Sequence, residues 1–159
     1  MMIDGLTIQE MRPGEEETVS GLVVSVFNGF VAPGYSEEGR KTFLEYVTPR
    51  AISLRRMRPT HFFLTAWVFG RLAGVIEVRD FDHVALFFIE KQHHGKGIAR
   101  ALLDAAVERV KRERSEKAPL TVNSSPYAVP IYRRLGFVET AGEQLTDGIL
   151  YHPMSREIG

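Results

Sequence analysis

The sequence contains no cysteine and has no excess of either charge. The absence of cysteine excludes a disulfide framework, a thiolate metal site and a cysteine nucleophile, and it fits a reducing compartment. Lys and Arg together number 20, as do Asp and Glu, so the formal net charge at pH 7 is +0. Because proteins that follow nucleic-acid phosphates rely on clustered Lys and Arg, this balance argues against a nucleic-acid partner.

Long apolar runs are also missing. Glycines and a proline interrupt the longest uncharged stretch, Thr18 to Ser36, so it cannot form the uniform apolar span of about 20 residues that a membrane requires. The first residues carry no basic cluster of the kind that begins a secretory signal. A length of 159 residues fits one domain. We therefore expect a soluble, cytoplasmic protein with no membrane partner, folded as one domain over residues 1–159.

Three strand-like runs with short connections occupy the middle of the chain. They extend from His61 to Phe69, from Leu72 to Arg79 and from His83 to Ile89. Such runs separated by tight turns predict an antiparallel meander. The third run leads through glycines into a helical pattern and then into a short strand, Leu120 to Asn123. This order predicts a βαβ crossover with parallel strands.

Helical spacing appears on both sides of this central part. One helix is expected to end near Asn28-Gly29, and a second to run from Gly39 to about Arg55 with Pro49 interrupting it. The second helix carries a basic cluster that we interpret either as a solvated face or as a grip on an anionic ligand (Arg50, Arg55, Arg56 and Arg58).

A further short helix is predicted near the carboxyl end of the chain. Ser124 or Ser125 before Pro126 predicts its start, and Gly136 predicts its end. Pro130 would then lie inside the helix and kink it. Beyond this helix, residues 141–147 are expected to form a loop between two final strands.

The most informative segment is Phe87 to Arg100, in which a buried strand passes through Gly95-Lys96-Gly97 into a helix. The first turn of a helix has unpaired N–H groups and a positive dipole end, and glycines let the backbone approach a phosphate closely. The segment contains neither a Walker loop nor a dinucleotide fingerprint. It is therefore either a phosphate-cradling loop of another type or a junction where glycines only allow the turn.

The segment resembles the acyl-CoA pyrophosphate loop of the GNAT superfamily of N-acetyltransferases, whose pattern is Gln/Arg-x-x-Gly-x-Gly/Ala. In the register that we prefer, His94 stands at the Gln/Arg position, Gly97 at the first glycine and Ala99 at the last position. The residues from Gly97 onward then match the helix start of the family. A second register, beginning at Gln92, places Gly95 and Gly97 at the two glycines.

A second block of the same family is matched by Asn123 to Phe137, with an Asn at a strand end and a helix that finishes in Tyr-x-x-x-Gly-Phe. The two blocks occur in the expected order, and the order of elements fits from about Leu6 to Met154. The resemblance is to a small bacterial-type subgroup and implies an α+β GNAT fold. That fold has a central, mostly antiparallel sheet of six to seven strands, a βαβ acyl-CoA-binding unit and helices on both faces.

The resemblance implies an N-acetyltransferase that moves an acetyl group from acetyl-CoA to a primary amine of a small molecule or protein, by direct attack in a ternary complex. The alternative is a non-catalytic acyl-CoA sensor or interaction module on the same fold. The expected partners are acetyl-CoA and an amine acceptor, and a homodimer is a further expectation. The acceptor pocket of this fold comes from its first helices, here about Val19 to Arg58.

The resemblance also implies roles for individual residues. Phe88 and Ile89 would leave backbone groups free for the pantetheine arm, Asn123 would hydrogen-bond that arm, and Tyr132 would protonate the leaving thiolate as well as contact the cofactor. The pyrophosphate would be held by the loop and the first turn of the helix (His94, Gly95, Lys96, Gly97, Ile98, Ala99 and Arg100).

Two residues are candidates for the base that removes a proton from the amine. His83 begins the strand that leads to the loop, and an imidazole with a reference pKa near 6.5 can accept a proton at neutral pH. Glu77 on the preceding strand is the alternative. The pair His93-His94 near Glu90 could suggest a metal site, but no third histidine lies close to it in the sequence, so we expect no metal cofactor.

Overall fold

The computed structural model describes residues 3–159, which form a mixed α/β fold. Its strands are β1 (Leu6–Glu10), β2 (Phe62–Val68), β3 (Arg71–Arg79), β4 (His83–Ile89), β5 (Leu120–Ser124), β6 (Val138–Glu139), β7 (Gln144–Thr146) and β8 (Ile149–Arg156). They form an eight-stranded sheet in the order β1-β2-β3-β4-β5-β8-β6, and β7 pairs with β8. The antiparallel meander β2-β3-β4 and the parallel pair β4-β5 confirm the predicted topology.

Helices cover both faces of the sheet. They are α1 (Glu16–Val26), α2 (Glu37–Tyr46), α3 (Pro49–Arg56), α4 (Ile98–Glu113) and α5 (Val129–Arg134). On one face, α1 and α3 bury Val23 and Ile52 against Val75 and Leu86. On the other face, α4 and α5 pack in a second apolar cluster. None of the helices in residues 3–159 has the length and apolar character needed to cross a bilayer.

The sheet has eight strands rather than the expected six to seven, because β7 lies inside the segment predicted as a loop. Thr146 pairs with Ile149, so only Asp147 and Gly148 connect β7 to β8. Their φ values are 52° and 77°. Positive φ at both central residues is the signature of a type I′ turn, and Asp-Gly is one of the sequences that favours it. The sequence signal for this hairpin was therefore present at Asp147-Gly148.

The first helices differ from the prediction at their ends. The chain does not leave the helical conformation at Asn28-Gly29, but continues through a π-helical turn, Phe27–Val31, and a 3₁₀ turn, Ala32–Gly34. The predicted second helix is two helices with separate caps. The Ser36 hydroxyl accepts a hydrogen bond from the amide of Gly39 at the start of α2. The Thr48 hydroxyl caps α3, where Pro49 occupies the first turn.

The helix α5 begins later than predicted, at Val129 rather than Pro126. Consequently Pro130 lies in its first turn, where the amide has no partner within the helix, and causes no kink. The Ser125 hydroxyl accepts from the amide of Ala128 at a distance of 3.2 Å. The predicted end is confirmed, because the chain leaves the helix at Gly136.

Candidate active site

The strands β4 and β5 diverge soon after they meet. Their parallel pairing consists of His83 with Thr121 and Val84 with Val122. Within residues 3–159, the rest of β4 has no neighbouring strand on that side. A cavity of about 1160 Å³ lies at this gap. Residues of β4, the start of α4, α5, α2 and the β7–β8 hairpin line it.

The open side of β4 presents backbone hydrogen-bonding groups to the cavity. The amide of Glu90 donates to the carbonyl of Ala73 on β3 at 2.8 Å. Because successive residues of a strand point their backbone groups to opposite sides, the groups of Ile89 face the gap. The Ile89 carbonyl there accepts a hydrogen bond from Nε2 of His94 at 2.7 Å. Phe88 and Ile89 both line the cavity. By the same alternation the backbone groups of Phe88 point toward Val75 on β3, so Phe87 and Ile89, rather than the predicted Phe88 and Ile89, turn their backbone groups to the gap.

The glycine loop lies at one end of the cavity. Gly95 and Gly97 have φ values of 75° and 85°, which L side chains rarely adopt. The first intrahelical hydrogen bond of α4 runs from the amide of Ala101 to the carbonyl of Gly97, so the amides before Ala101 have no partner within the helix. Of the predicted loop and helix residues, six line the cavity: His94, Gly95, Gly97, Ile98, Ala99 and Arg100. Lys96 does not line it and is exposed.

Positive side chains surround this end of the cavity. Arg100 and Arg134 both line it. The Arg100 guanidinium donates to the carbonyl of Arg134 at 2.8 Å, which connects the first turn of α4 to the last turn of α5. Together with the positive end of α4, these groups favour an anion. Asn123 lies on β5, across the gap from β4, and also lines the cavity.

Tyr132 lies on α5 beside the open part of β4. Its ring packs against Phe87, with 6.1 Å between centroids, and edge-on against Phe137 at 5.3 Å. The residue is only 7% exposed and lines the cavity. Burial raises the pKa of its hydroxyl, and the neighbouring Tyr35 raises it further. Tyr132 is therefore protonated at neutral pH and can donate a proton into the cavity.

His83 lies at the other end of β4, beside Thr121 of β5. Its Nδ1 lies 2.8 Å from Oγ1 of Thr121. The Thr121 hydroxyl also lies 3.2 Å from the carbonyl of Asp82. When it donates its proton to that carbonyl, Nδ1 of His83 is the donor in the other contact. Nε2 then keeps its lone pair. Burial lowers the pKa of His83 to about 4, with a contribution from Arg79, so the ring is neutral at pH 7.

Glu77, the other candidate base, does not line the cavity and is fully buried. Its two carboxylate oxygens accept hydrogen bonds from the Arg55 guanidinium at 2.8 and 3.2 Å. Burial raises the pKa of Glu77, while Arg55 opposes this shift. Two members of the predicted basic cluster therefore form ion pairs. Arg55 is buried against Glu77, so it is neither solvated nor free to bind an anion. Arg56 pairs with Glu16 at 3.4 Å.

The adjacent residues His93 and His94 do not direct their rings toward one common metal position. Nε2 of His93 lies 3.6 Å from a carboxylate oxygen of Glu90, whereas His94 is bound to the backbone of β4. In the part of the chain that the structure describes, no group of three or more His, Cys, Asp or Glu side chains could hold a metal ion.

Several cavity residues were not singled out from the sequence. They lie on the face of the sheet that α1–α3 cover or on the β7–β8 hairpin (Tyr35, Thr42, Glu45, Tyr46, Arg79, Asp147 and Tyr151). Apart from the turn signal at Asp147-Gly148, no motif marks them, because only the folded chain brings α2 to the hairpin.

Comparison with known proteins agrees with this geometry. A family model described as "Acetyltransferase (GNAT) domain" matches residues 31–158. The chain belongs to the GNAT acetyltransferases. A search of curated proteins found no match to this acetyltransferase.

Solved structures show the same fold over nearly the whole of this GNAT acetyltransferase. A GCN5-related N-acetyltransferase from Rhodopseudomonas palustris is similar with a TM-score of 0.80 and 18% identity, over 99% of this chain and 98% of that one. The PaiA N-acetyltransferase from Thermoplasma acidophilum, solved in complex with coenzyme A, is similar with a TM-score of 0.77 and 20% identity. The match covers 96% of this chain and 98% of that one. An acetyltransferase from Staphylococcus aureus is similar with a TM-score of 0.75 and 15% identity, over 97% of this chain and 99% of that one.

Proposed function

We propose that this GNAT acetyltransferase transfers an acetyl group from acetyl-CoA to a primary amine of a small molecule or a protein, by direct attack in a ternary complex. The observation that carries the proposal is the gap between β4 and β5. A single cavity there joins the unpaired amides of α4, the Tyr132 hydroxyl and the His83 ring. The cavity therefore combines an anion site with a proton donor and a proton acceptor.

The chain's own groups fit the chemistry of acetyl-CoA. The unpaired start of α4, the glycine loop and the side chains of Arg100 and Arg134 suit a pyrophosphate. The open backbone at Phe87 and Ile89 offers the hydrogen bonds of a missing strand, which suits the amides of a pantetheine arm, and Asn123 can bind the arm from β5. The complex of the Thermoplasma acidophilum relative with coenzyme A supports this ligand class.

The proposed reaction needs a proton to leave the amine and a proton to reach the thiolate. Nε2 of neutral His83 accepts the amine proton, directly or through one water. The amine nitrogen then forms a bond to the thioester carbonyl carbon, and the carbon–sulfur bond breaks. The Tyr132 hydroxyl gives its proton to the departing sulfur. His83 then loses the proton that it accepted and Tyr132 takes one up, through solvent in the cavity, which restores both groups for the next turnover. We propose His83 rather than Glu77 as the base, because both Glu77 oxygens are engaged by Arg55.

The test is thiol release from acetyl-CoA with a panel of primary amines, together with mass spectrometry of the products. We expect acetylated amine and an equal amount of free CoA thiol. A sensor or interaction module on the same fold would bind CoA in a calorimeter and release no thiol with any amine. Failure to bind CoA would contradict both functions.

A further inference from the structure

The carbonyl of Ile89 is the last backbone acceptor on the open edge of β4 before the glycine loop. Nε2 of His94 lies 2.7 Å from its oxygen. Because a carbonyl oxygen can only accept, Nε2 carries a proton and is the donor in this hydrogen bond. A side chain next to the glycine loop therefore engages a backbone group that the pantetheine arm would use.

The His94 ring is also held by an aromatic contact. The centroids of the His94 and Phe30 rings are 5.1 Å apart, and the two planes are inclined at 51°. Phe30 in turn packs against Tyr127, with 5.6 Å between centroids. Since His94 follows β4 in the chain and Tyr127 follows β5, Phe30 connects the two sides of the gap. It does so from the π-helical turn after α1, a rare conformation that often occurs at functional sites.

His94 can leave this position at little cost to the fold. The residue is exposed, so its ring can turn away without opening the core. The helix that follows is anchored independently, because Ile98 at the start of α4 is buried in the apolar cluster on that face of the sheet. A donor that replaces Nε2 at the Ile89 carbonyl exchanges one hydrogen bond for another, and the net free energy of such an exchange is small.

We propose that His94 holds the place of the pantetheine arm on β4, and that the arm displaces it when the cofactor binds. The inference rests on the proposed function, which puts the arm in the gap. An amide N–H of the arm then donates to the Ile89 carbonyl in place of Nε2, and the His94 ring turns out of the gap. When the arm leaves, the ring returns and satisfies a backbone acceptor that would otherwise be unpaired. His94 thus competes with the cofactor for one group of the strand.

The first test measures the affinity of pantetheine for the wild type and for His94→Ala by NMR titration. Pantetheine carries the arm without the nucleotide and its phosphates, so its binding reports on the gap and not on the anion site. We expect its Kd to be about threefold to tenfold lower in His94→Ala, because the arm no longer has a hydrogen bond to break. The control is His93→Ala, which removes the adjacent ring. That ring contacts Glu90 at 3.6 Å instead of Ile89, so the control should keep the wild-type Kd.

The second test is a crystal structure of the wild type with CoA bound. We expect Nε2 of His94 to lie more than about 3.5 Å from the Ile89 oxygen, and an amide nitrogen of the arm to lie about 3 Å from that oxygen. A contact between His94 and Ile89 that persists with CoA bound overturns the inference. So does a pantetheine Kd that is unchanged or higher in His94→Ala, or one that falls equally in the His93 control.

These outcomes separate the inference from the proposed function. If CoA binds and His94 is displaced but no amine is acetylated, the inference is supported and the transferase is contradicted. If amines are acetylated while His94 stays on Ile89 in the CoA complex, the transferase stands and the inference falls. A protein that binds no CoA would overturn both.

Discussion

The Thr121 hydroxyl lies between Nδ1 of His83, at 2.8 Å, and the carbonyl of Asp82, at 3.2 Å. Both contacts are satisfied together when the hydroxyl donates to the carbonyl and accepts from Nδ1. His83 and Thr121 also face each other across the two-residue parallel pairing of β4 and β5. The contact therefore lies at the narrow end of the gap, and in the arrangement that satisfies both hydrogen bonds Nε2 is left as a proton acceptor.

Replacing Thr121 tests this arrangement. In Thr121→Val the ring loses its Nδ1 acceptor, and we expect kcat to fall about tenfold or more because the base is no longer held in one tautomer and orientation. Thr121→Ser retains the hydroxyl and should preserve most of the activity. Calorimetry should show unchanged CoA binding in both variants. Equal activity of the Val and Ser variants would contradict a positioning role.

The pH dependence of kcat/KM tests His83 itself. Its folded pKa of about 4 means that the ring is neutral, and able to accept a proton, above that pH. Activity limited by His83 should therefore rise as pH increases through about 4, well below the usual range of histidine. His83→Gln should lower the rate and remove this acidic limb. Two acceptors of different pKa separate the titration of the substrate from that of the enzyme. A limb near pH 4 that persists in the variant would belong to another group.

Tyr132→Phe tests the proton donor. The ring should keep its packing against Phe87 and Phe137, because the substitution removes only the hydroxyl. Loss of a positioned acid typically lowers the rate by about 10²–10⁴-fold. We expect kcat to fall by this amount while CoA still binds. Normal turnover combined with weaker CoA binding would instead indicate that Tyr132 only contacts the cofactor.

Gly97 offers a test of the anion site with a closely matched control. An added Cβ would meet only Ile3, at 3.8 Å, so space is available, but the φ of 85° disfavours any side chain. Asn and Asp have the same shape and tolerate this region better than other residues. Gly97→Asp should weaken CoA binding at least about tenfold more than Gly97→Asn, since only Asp adds a negative charge near the pyrophosphate. Equal CoA affinities of the Asp and Asn variants would contradict a pyrophosphate site at this loop.

The buried pair of Arg55 and Glu77 should stabilise the fold without entering the reaction. Glu77→Gln leaves the guanidinium without its carboxylate, and breaking a buried pair in this way typically costs about 3–5 kcal/mol. Denaturant unfolding should show that loss, while the acidic limb of the pH profile stays in place in the protein that remains folded. A changed limb would return Glu77 to consideration as the base.

The cofactor side of the site was predictable because its signals are local. The strand that ends at Ile89, the glycines at 95 and 97 and the helix that follows are consecutive in the sequence, and each has its own turn or capping preference. Pro130 was misjudged because the start of α5 was placed three residues too early, and that error turned a first-turn proline into an interior one.

The acceptor side was not predictable in the same way. Glu45 and Asp147 are about one hundred residues apart in the sequence, and they line one cavity only because α2 packs against the β7–β8 hairpin. The pairing of Glu77 with Arg55 is equally non-local. In the sequence Glu77 is simply an acid between apolar residues, a pattern that fits a catalytic base as well as a buried ion pair.

The close approach of Gly39 in α2 and Gly148 in the β7–β8 hairpin has a consequence for engineering. Since neither position tolerates a side chain without moving the other backbone, residues 36–47 and 144–151 form one interlocking part. Transplanting either segment alone from a relative would separate α2 from the β7–β8 hairpin. An exchange of either segment must therefore carry both segments together if the contact between them is to survive.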